Sequence, residues 1–206
     1  MIKLTMMLSA LLVLGSAQAM AGEEGKTLFE QRCAACHQAN ASGNAALKAP
    51  NLTGLSAAYL QRQLEHFRSG VRGADAADGE GQMMRGISAG LSDAHVSQLS
   101  QYVAGLPRVA APKPAQSAGF AGRGLYSGCT SCHGSQAEGF DQLGAPRLAG
   151  QHDWYLKAQL LKFRAGQRGS HADDKLGQQM AAMAKAIRDE AAIDAVVRHI
   201  SSLAAE

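Results

Sequence analysis

Two kinds of hydrophobic pattern follow one another along the chain. The first is an apolar run from Leu4 to Leu14, interrupted only by Thr5 and Ser9. One early cation, Lys3, precedes it, and small residues from Gly15 to Ala21 follow. A basic start, a short apolar stretch and a small-x-small site predict a secretory signal peptide over residues 1–21, cut after Ala19 or Ala21. A membrane-spanning helix needs about 20 apolar residues, more than this run offers, and no later stretch is long enough. Beyond it the pattern turns helical. Tyr59, Leu60, Leu64 and Phe67 fall on one face of a helix, with Ser56 as its N-cap and Gly70 as its stop. Tyr155, Leu156, Leu160 and Phe163 repeat that face, with Asp153 as cap and Gly166 as stop. Further helices are predicted from Ser92 to about Ala104 and from Arg188 to about Ser202, with a short helix ahead of residues 33 and 129. No segment alternates as a strand does, so the fold class predicted is all-α.

The recurrence extends over the whole mature chain. An offset of 96 relates Cys33 to Cys129, Cys36 to Cys132, His37 to His133, Pro50 to Pro146, Gln63 to Gln159, Arg68 to Arg164 and Arg72 to Arg168. It persists to Met84/Met180 and Asp93/Asp189, and becomes 97 near both ends, as in Leu28/Leu125 and Leu106/Leu203. This is a tandem duplication. The three prolines Pro107, Pro112 and Pro114, with few large apolar residues between them, mark the linker. The expected organisation is a first domain over 22–106, a linker over 107–120 and a second domain over 121–206.

Composition changes the picture at two points. Of 206 residues only 5% are aromatic, thin for filling two cores. The formal net charge is +3, from 20 basic and 17 acidic residues, too small an excess to indicate a nucleic-acid partner. Residues 22–110 balance at 8 against 8, and 111–206 carry 11 against 9. Strong long-range steering is therefore not expected from net charge, although local patches can still act.

Four cysteines in an exported chain first suggest disulfides, but here they form two tight pairs, each followed directly by histidine. Cys-x-x-Cys-His is the attachment signature of c-type haem. Two thiols one helical turn apart can add across the two vinyl groups of one porphyrin edge, and the next residue places an imidazole beneath the iron. A four-cysteine zinc site would explain neither the histidines nor the duplicated surroundings. A thioredoxin-like redox pair would need a βαβ context that is absent. The cofactors expected are two covalently bound haem c groups, held by Cys33, Cys36, Cys129 and Cys132, with His37 and His133 on the irons.

Of the methionines beyond the leader, Met83, Met84, Met180 and Met183, only Met84 and Met180 keep the repeat offset. They are the candidate sixth ligands; Met183 reads as core and Met83 as packing or surface. Histidine with methionine raises the potential of a haem iron and fills both axial positions, which points to electron transfer. Pro50 and Pro146 stand 13 residues after each histidine, where a carbonyl could fix the imidazole or the proline simply shape a loop. Gln63, Gln159, Arg68 and Arg164 are candidates for the haem propionates or for solvated helix faces. The other histidines have no duplicated partner, and surface or packing roles are expected of them.

These residues resemble a dihaem cytochrome c of the cytochrome c4 type. The resemblance rests on Cys33-Ala34-Ala35-Cys36-His37 with Met84 and on Cys129-Thr130-Ser131-Cys132-His133 with Met180. Ala49-Pro50-Asn51-Leu52, Gly150-Gln151-His152 and Met84-Arg85-Gly86-Ile87 support it. It implies two cytochrome c-like domains with haems facing the interface and propionates close together. It also implies a periplasmic carrier, often loosely associated with the membrane, with redox proteins as partners: a terminal oxidase, a cytochrome bc1-type complex or a dehydrogenase. The alternative is the electron-transfer subunit of a flavocytochrome or alcohol dehydrogenase complex. A dihaem peroxidase would need a displaceable ligand, against which two phase-matched methionines argue. The second copy departs from the pattern at Ala181-Ala182-Met183 and Ile187-Arg188-Asp189, which keeps Met183 in contention with Met180.

Overall fold

The computed structural model describes residues 22–113 and 119–203; the leader expected over 1–21 and Pro114 lie outside them. The first half runs α1 (22–32), α2 (Ala34–His37), α3 (Ala57–Ser69), α4 (Gly79–Ser88) and α5 (Asp93–Ala104). The second runs α6 (Phe120–Tyr126), α7 (Thr130–His133), α8 (Asp153–Ala165), α9 (Lys175–Ala186) and α10 (Glu190–Ser202), with one 3₁₀ turn at Asp141–Leu143. Among the described residues there are no strands, only isolated bridges at Asn44–Ala49 and Phe140–Ala145, which are equivalent positions of the repeat. The fold is all-α in two tandem domains.

Local chemistry sets the helix limits. The Ser56 hydroxyl accepts the Tyr59 amide at the start of α3, and Gly70 closes the helix at φ 80°, a left-handed conformation that a side chain disfavours. Gly166 closes α8 in the same way at φ 77°. The cap expected at Asp153 is displaced by one residue. His152 holds the N-cap position and Asp153 opens the helix, its carboxylate taking the Trp154 amide. The His152 imidazole is used elsewhere, against the Ser42 carbonyl of the first half. The last helix also begins later than Arg188: Asp189 caps it through the Ala192 amide, as Ser92 caps α5. The structural register is thus already 97 there, and the equivalence of Asp93 with Asp189 gives way to Ser92 with Asp189. Helices α4 and α9 are not among the elements expected from the sequence. Glycines at 79, 81 and 86 dilute the signal of α4, and both helices are started by buried aspartates, Asp78 on the Gly81 amide and Asp174 on the Gly177 amide.

Each half has its own core. Phe29, Leu60, Leu91, Val96, Leu99 and Val103 fill the first. Tyr126, Leu156, Ile193, Val196, Val197 and Ile200 fill the second. In each, the leading helix lies against the terminal helix through a glycine. A Cβ at Gly25 would stand 2.5 Å from the Gln98 carbonyl oxygen, and one at Gly122 2.2 Å from that of Ala195. Beside these crossings the aromatic pair Phe29–Tyr102 of the first half is replaced by Tyr126–His199 in the second.

Two outcomes follow. Alanine has the higher helix propensity by about 1 kcal/mol, but Gly122→Ala forces α6 off α10, for which overpacking costs about 1–3 kcal/mol. The clash wins, and the midpoint of thermal unfolding falls. His199 is buried, and burial, aided by Arg123, lowers its pKa from 6.5. On acidification through 6.5 the unfolded chain therefore takes up this proton before the folded one. Stability is full above that pH and is lost as pH falls below it. His199→Tyr, which restores the residue type of Tyr102, reduces that acid sensitivity in denaturant titrations carried out above and below pH 6.5.

Candidate functional site

The helix leading into each cysteine pair sets its geometry. The Cys33 amide bonds the Phe29 carbonyl at 2.8 Å, four residues back, whereas the Cys129 amide bonds Tyr126 at 2.8 Å, three residues back. The second copy absorbs its missing residue by tightening that turn. His37 and His133 each bond the carbonyl of the first cysteine at 2.9 Å. Each Cys-x-x-Cys-His therefore occupies one helical turn, with both thiols and the imidazole at i, i+3 and i+4. None of the four cysteines is joined to another in a disulfide. Among the described residues no cluster of three or more histidine, cysteine or acidic side chains is arranged as a metal site, against the four-cysteine zinc alternative.

Both histidines are buried. His37 Nδ1 donates to the Pro50 carbonyl at 3.0 Å and His133 Nδ1 to that of Pro146 at 2.9 Å. A carbonyl oxygen can only accept, so Nδ1 carries the proton and the Nε2 lone pair is left for a metal. Burial lowers the pKa of both rings, against the opposing pull of the carbonyl bonds, which keeps the imidazoles neutral. The intervening loop is tied down on both sides: Gly43 bonds His37 and Leu52 bonds Ala41, with Gly139 and Leu148 repeating this on His133 and Ala137. The carbonyl and loop roles of the prolines are one arrangement.

Met84 and Met180 are half-buried on α4 and α9, and Met180 packs beside Leu160, Phe163 and Ala184. Met83 is 59% exposed. Met183 is 46% exposed beside Gly128, so its expected core role is not seen.

The expectations for the glutamines and arginines divide. Arg68 bonds the Leu91 carbonyl and Asp93 within its own domain. Arg164 is half-buried on α8. Gln63 and Gln159 face neither solvent nor their own domain alone. They sit in a reciprocal cluster at the domain interface whose centre, Arg72 and Arg168, is missed by reasoning from the sequence. Arg72 donates to Gln63 at 2.7 Å, to Gln159 at 3.0 Å and to the Tyr155 hydroxyl at 3.2 Å. Arg168 donates to Gln159 at 2.8 Å, to Gln63 at 3.0 Å and to the Tyr59 hydroxyl at 3.2 Å. Each guanidinium also lies 4.4 Å over the phenylalanine of its own domain, Phe67 or Phe163. The signal that could have found them is an arginine repeated in phase two residues after each helix-closing glycine, Gly70 and Gly166.

Ion pairs and backbone contacts extend the interface. Lys162 on α8 bridges Asp78 and Glu80 at the start of α4, and with Lys48 it holds the Glu80 carboxyl down at about 2. The equivalent position in the first half is His66, 3.8 Å from Asp174 at the start of α9. Asn51 and Gln151 exchange backbone and side-chain bonds across the interface. The chain after Pro107 is pinned there too, through Val109 on Thr53 and Ala111 on Gly150.

Two helical domains, each presenting a Cys-x-x-Cys-His turn and a neutral, oriented imidazole, define a dihaem c-type electron-transfer protein. The Cytochrome c family model matches residues 22–107 and 121–204, and the chain belongs to the cytochrome c family. Within it the chain is of the dihaem cytochrome c4 type. It is 32% identical to a thiosulfate dehydrogenase electron acceptor of Stutzerimonas stutzeri, over 95% of this chain and 92% of that one. It is 32% identical to cytochrome c4 of Azotobacter vinelandii, over 73% and 76%. The crystal structure of reduced recombinant cytochrome c4 from Pseudomonas stutzeri superposes with a TM-score of 0.72 at 28% identity, covering 89% of this chain and 98% of that one. The protein carries two covalently bound haem c groups.

The residues present fit that group. Besides the two Nε2 lone pairs, seven buried side-chain polar atoms among the described residues have no partner within the protein: the hydroxyls of Ser88, Ser100 and Ser201, Nδ1 of His66, and three N–H donors, Nε of Arg72, Nε of Arg168 and Nε1 of Trp154. Orphaned N–H groups of this kind call for an acceptor supplied from outside the chain.

One outcome tests the interface. Lys162→Met strands the buried Asp78 carboxylate without its cation, a loss of about 3–5 kcal/mol. His66→Met removes a contact too long for a hydrogen bond and costs less. Denaturant unfolding of the two haem-loaded variants checks the order.

Proposed function

We propose that this chain is a periplasmic dihaem electron carrier, exported by a leader of residues 1–21, with its domains at 22–106 and 121–206 joined by 107–120. Cys33 and Cys36 bind one haem, with His37 and Met84 on its iron. Cys129 and Cys132 bind the other, with His133 and Met180. The observation that carries this reading is the pair of Nδ1–H bonds to Pro50 and Pro146, which fixes the same tautomer and leaves the same Nε2 in both domains. When bound, each haem supplies a one-electron couple between ferric and ferrous iron. The protein's part would be to hold that iron with His37 and Met84 in one domain and His133 and Met180 in the other, leaving no place for oxygen or peroxide to bind and no substrate to be transformed. Its partners are redox proteins: respiratory donors on one side and a terminal oxidase or other acceptor on the other.

A second reading is favoured by the relative from Stutzerimonas stutzeri, which aligns over nearly the whole chain and is named as the electron acceptor of a dehydrogenase. On that reading the donor is a dehydrogenase that passes its electrons directly to this chain. Reduction of the oxidised protein by candidate dehydrogenases, compared with its reduction by a bc1-type complex, distinguishes the two.

Intact mass and a pyridine haemochrome assay are expected to give two haems per chain; any other number overturns the site assignment. Met84→Ala and Met180→Ala are each expected to abolish one Met–Fe(III) charge-transfer band. Survival of both bands in Met180→Ala transfers the ligand to Met183.

A further inference from the structure

The interface cluster contains an electrostatic problem that the chain solves only in part. Arg72 and Arg168 are each 8% exposed, and they share both glutamine oxygens, Gln63 and Gln159. Every hydrogen-bond partner named for them is neutral: two amide oxygens and two tyrosine hydroxyls. Asp78 is paired with Lys162, and Asp174, the cap of α9, favours the charge of Arg168 from nearby without forming an ion pair with it. A buried charge is costly unless it is paired, and here two like charges are buried together. Their field is visible on Tyr155: burial works to raise its hydroxyl pKa, yet the two guanidiniums overcome this and lower it. Both guanidiniums also keep one buried donor, Nε, without a partner.

We propose that Arg72 and Arg168 are a crossed clamp for haem propionates, in which each Nε–H takes a propionate carboxylate while Nη2 holds the opposite domain. This rests on the haem assignment above and extends it to four further interface residues: Gln63 and Gln159 join the two guanidiniums, and Tyr59 and Tyr155 accept from them. A propionate provides both missing elements, an acceptor for Nε and the counter-charge for the guanidinium. Arg suits the task better than Lys because its fork can serve several acceptors at once. Haem loading and domain docking then become linked, because the interface is neutralised only by the group each domain binds. A cation fixed beside a haem disfavours the ferric state, so the arginines act as positioning residues that also raise the potential.

The test is spectroelectrochemical titration of the haem-loaded protein and of Arg72→Gln, Arg168→Gln and the matching Lys variants. Each Gln variant is expected to lower the potential of at least one haem by about tenfold in the reduction equilibrium, 59 mV for a one-electron couple. The Lys variants, which keep the charge, are expected to retain most of the potential while losing the Nη2 bridge between domains. A purely structural role would move Gln and Lys variants together. Two Gln variants that keep both haems, both Met–Fe(III) bands and both potentials within about threefold overturn the proposal. A haem count other than two in the unaltered chain instead overturns the haem assignment, so the two failures are distinguishable. Should a Gln variant not take up haem, a crystal structure of the unaltered loaded protein decides. Propionate oxygens within hydrogen-bond distance of both Nε atoms support the clamp, and Nε atoms facing water or other protein groups overturn it.

Discussion

A hydrogen bond from a buried imidazole to a proline carbonyl 13 residues further on governs each domain. It selects the tautomer, and through the tautomer it selects which nitrogen is free to bind iron. It also dictates the chain path. The segment after each histidine has to turn back on itself, and it does so with Ala41 and Ala137 in left-handed conformations, at φ 58° and 56°, fully buried. A small buried side chain is tolerated there because the amides on either side are already bonded into the loop. The loop in turn places residues 51–56 and 147–152 at the domain interface. The ligand geometry and the way the domains meet therefore come from a single constraint, applied twice.

Duplication makes the interface nearly self-complementary. Arg72 reaches Tyr155 and Gln159, and Arg168 reaches Tyr59 and Gln63, so residue i meets j and j meets i, as in a two-fold dimer. Once both copies share a chain, however, each position can change independently. Ser56 keeps its capping task while its counterpart His152 bonds across to Ser42. His66 stands opposite Asp174 where its counterpart Lys162 holds Asp78 and Glu80. These differences gather on α3, α8 and the starts of α4 and α9, and the starts lie just ahead of Met84 and Met180.

How much of this was legible in the sequence depended on whether a feature acts locally. Ser56, Gly70 and Gly166 could be assigned because a cap is decided within a few residues of itself. The two Cys-x-x-Cys-His turns were legible because thioether spacing and imidazole placement belong to one helical turn. Asp153 was assigned the wrong task because His152 had been drawn into a contact 110 residues away, which no local pattern reports. Helices α4 and α9, started by buried aspartate caps and packed on α3 and α8, are amphipathic but carry glycines and few large apolar residues, so they stand out less than α3 does. Arg72 and Arg168 were visible as a repeat and invisible as a site: their partners lie in the other domain, and the counter-charge is supplied by something the sequence does not encode.

The shortage of aromatic residues belongs to the same argument. A domain of roughly 90 residues has a marginal core on its own, and here each core is built mainly of Leu, Val, Ile and one buried aromatic from the leading helix. A porphyrin contributes a large flat apolar body to each, and its carboxylates answer the buried guanidiniums. Apolar filling and charge neutralisation thus arrive in one group, which ties the stability of each domain and the closure of the interface to cofactor attachment. Both irons have the same proposed ligand set, so axial ligation cannot separate their potentials. Any separation has to come from what surrounds them. The positions where the repeat has diverged, His66 against Lys162 and a charge balance of 0 in residues 22–110 against +2 in 111–206, supply that difference in surroundings.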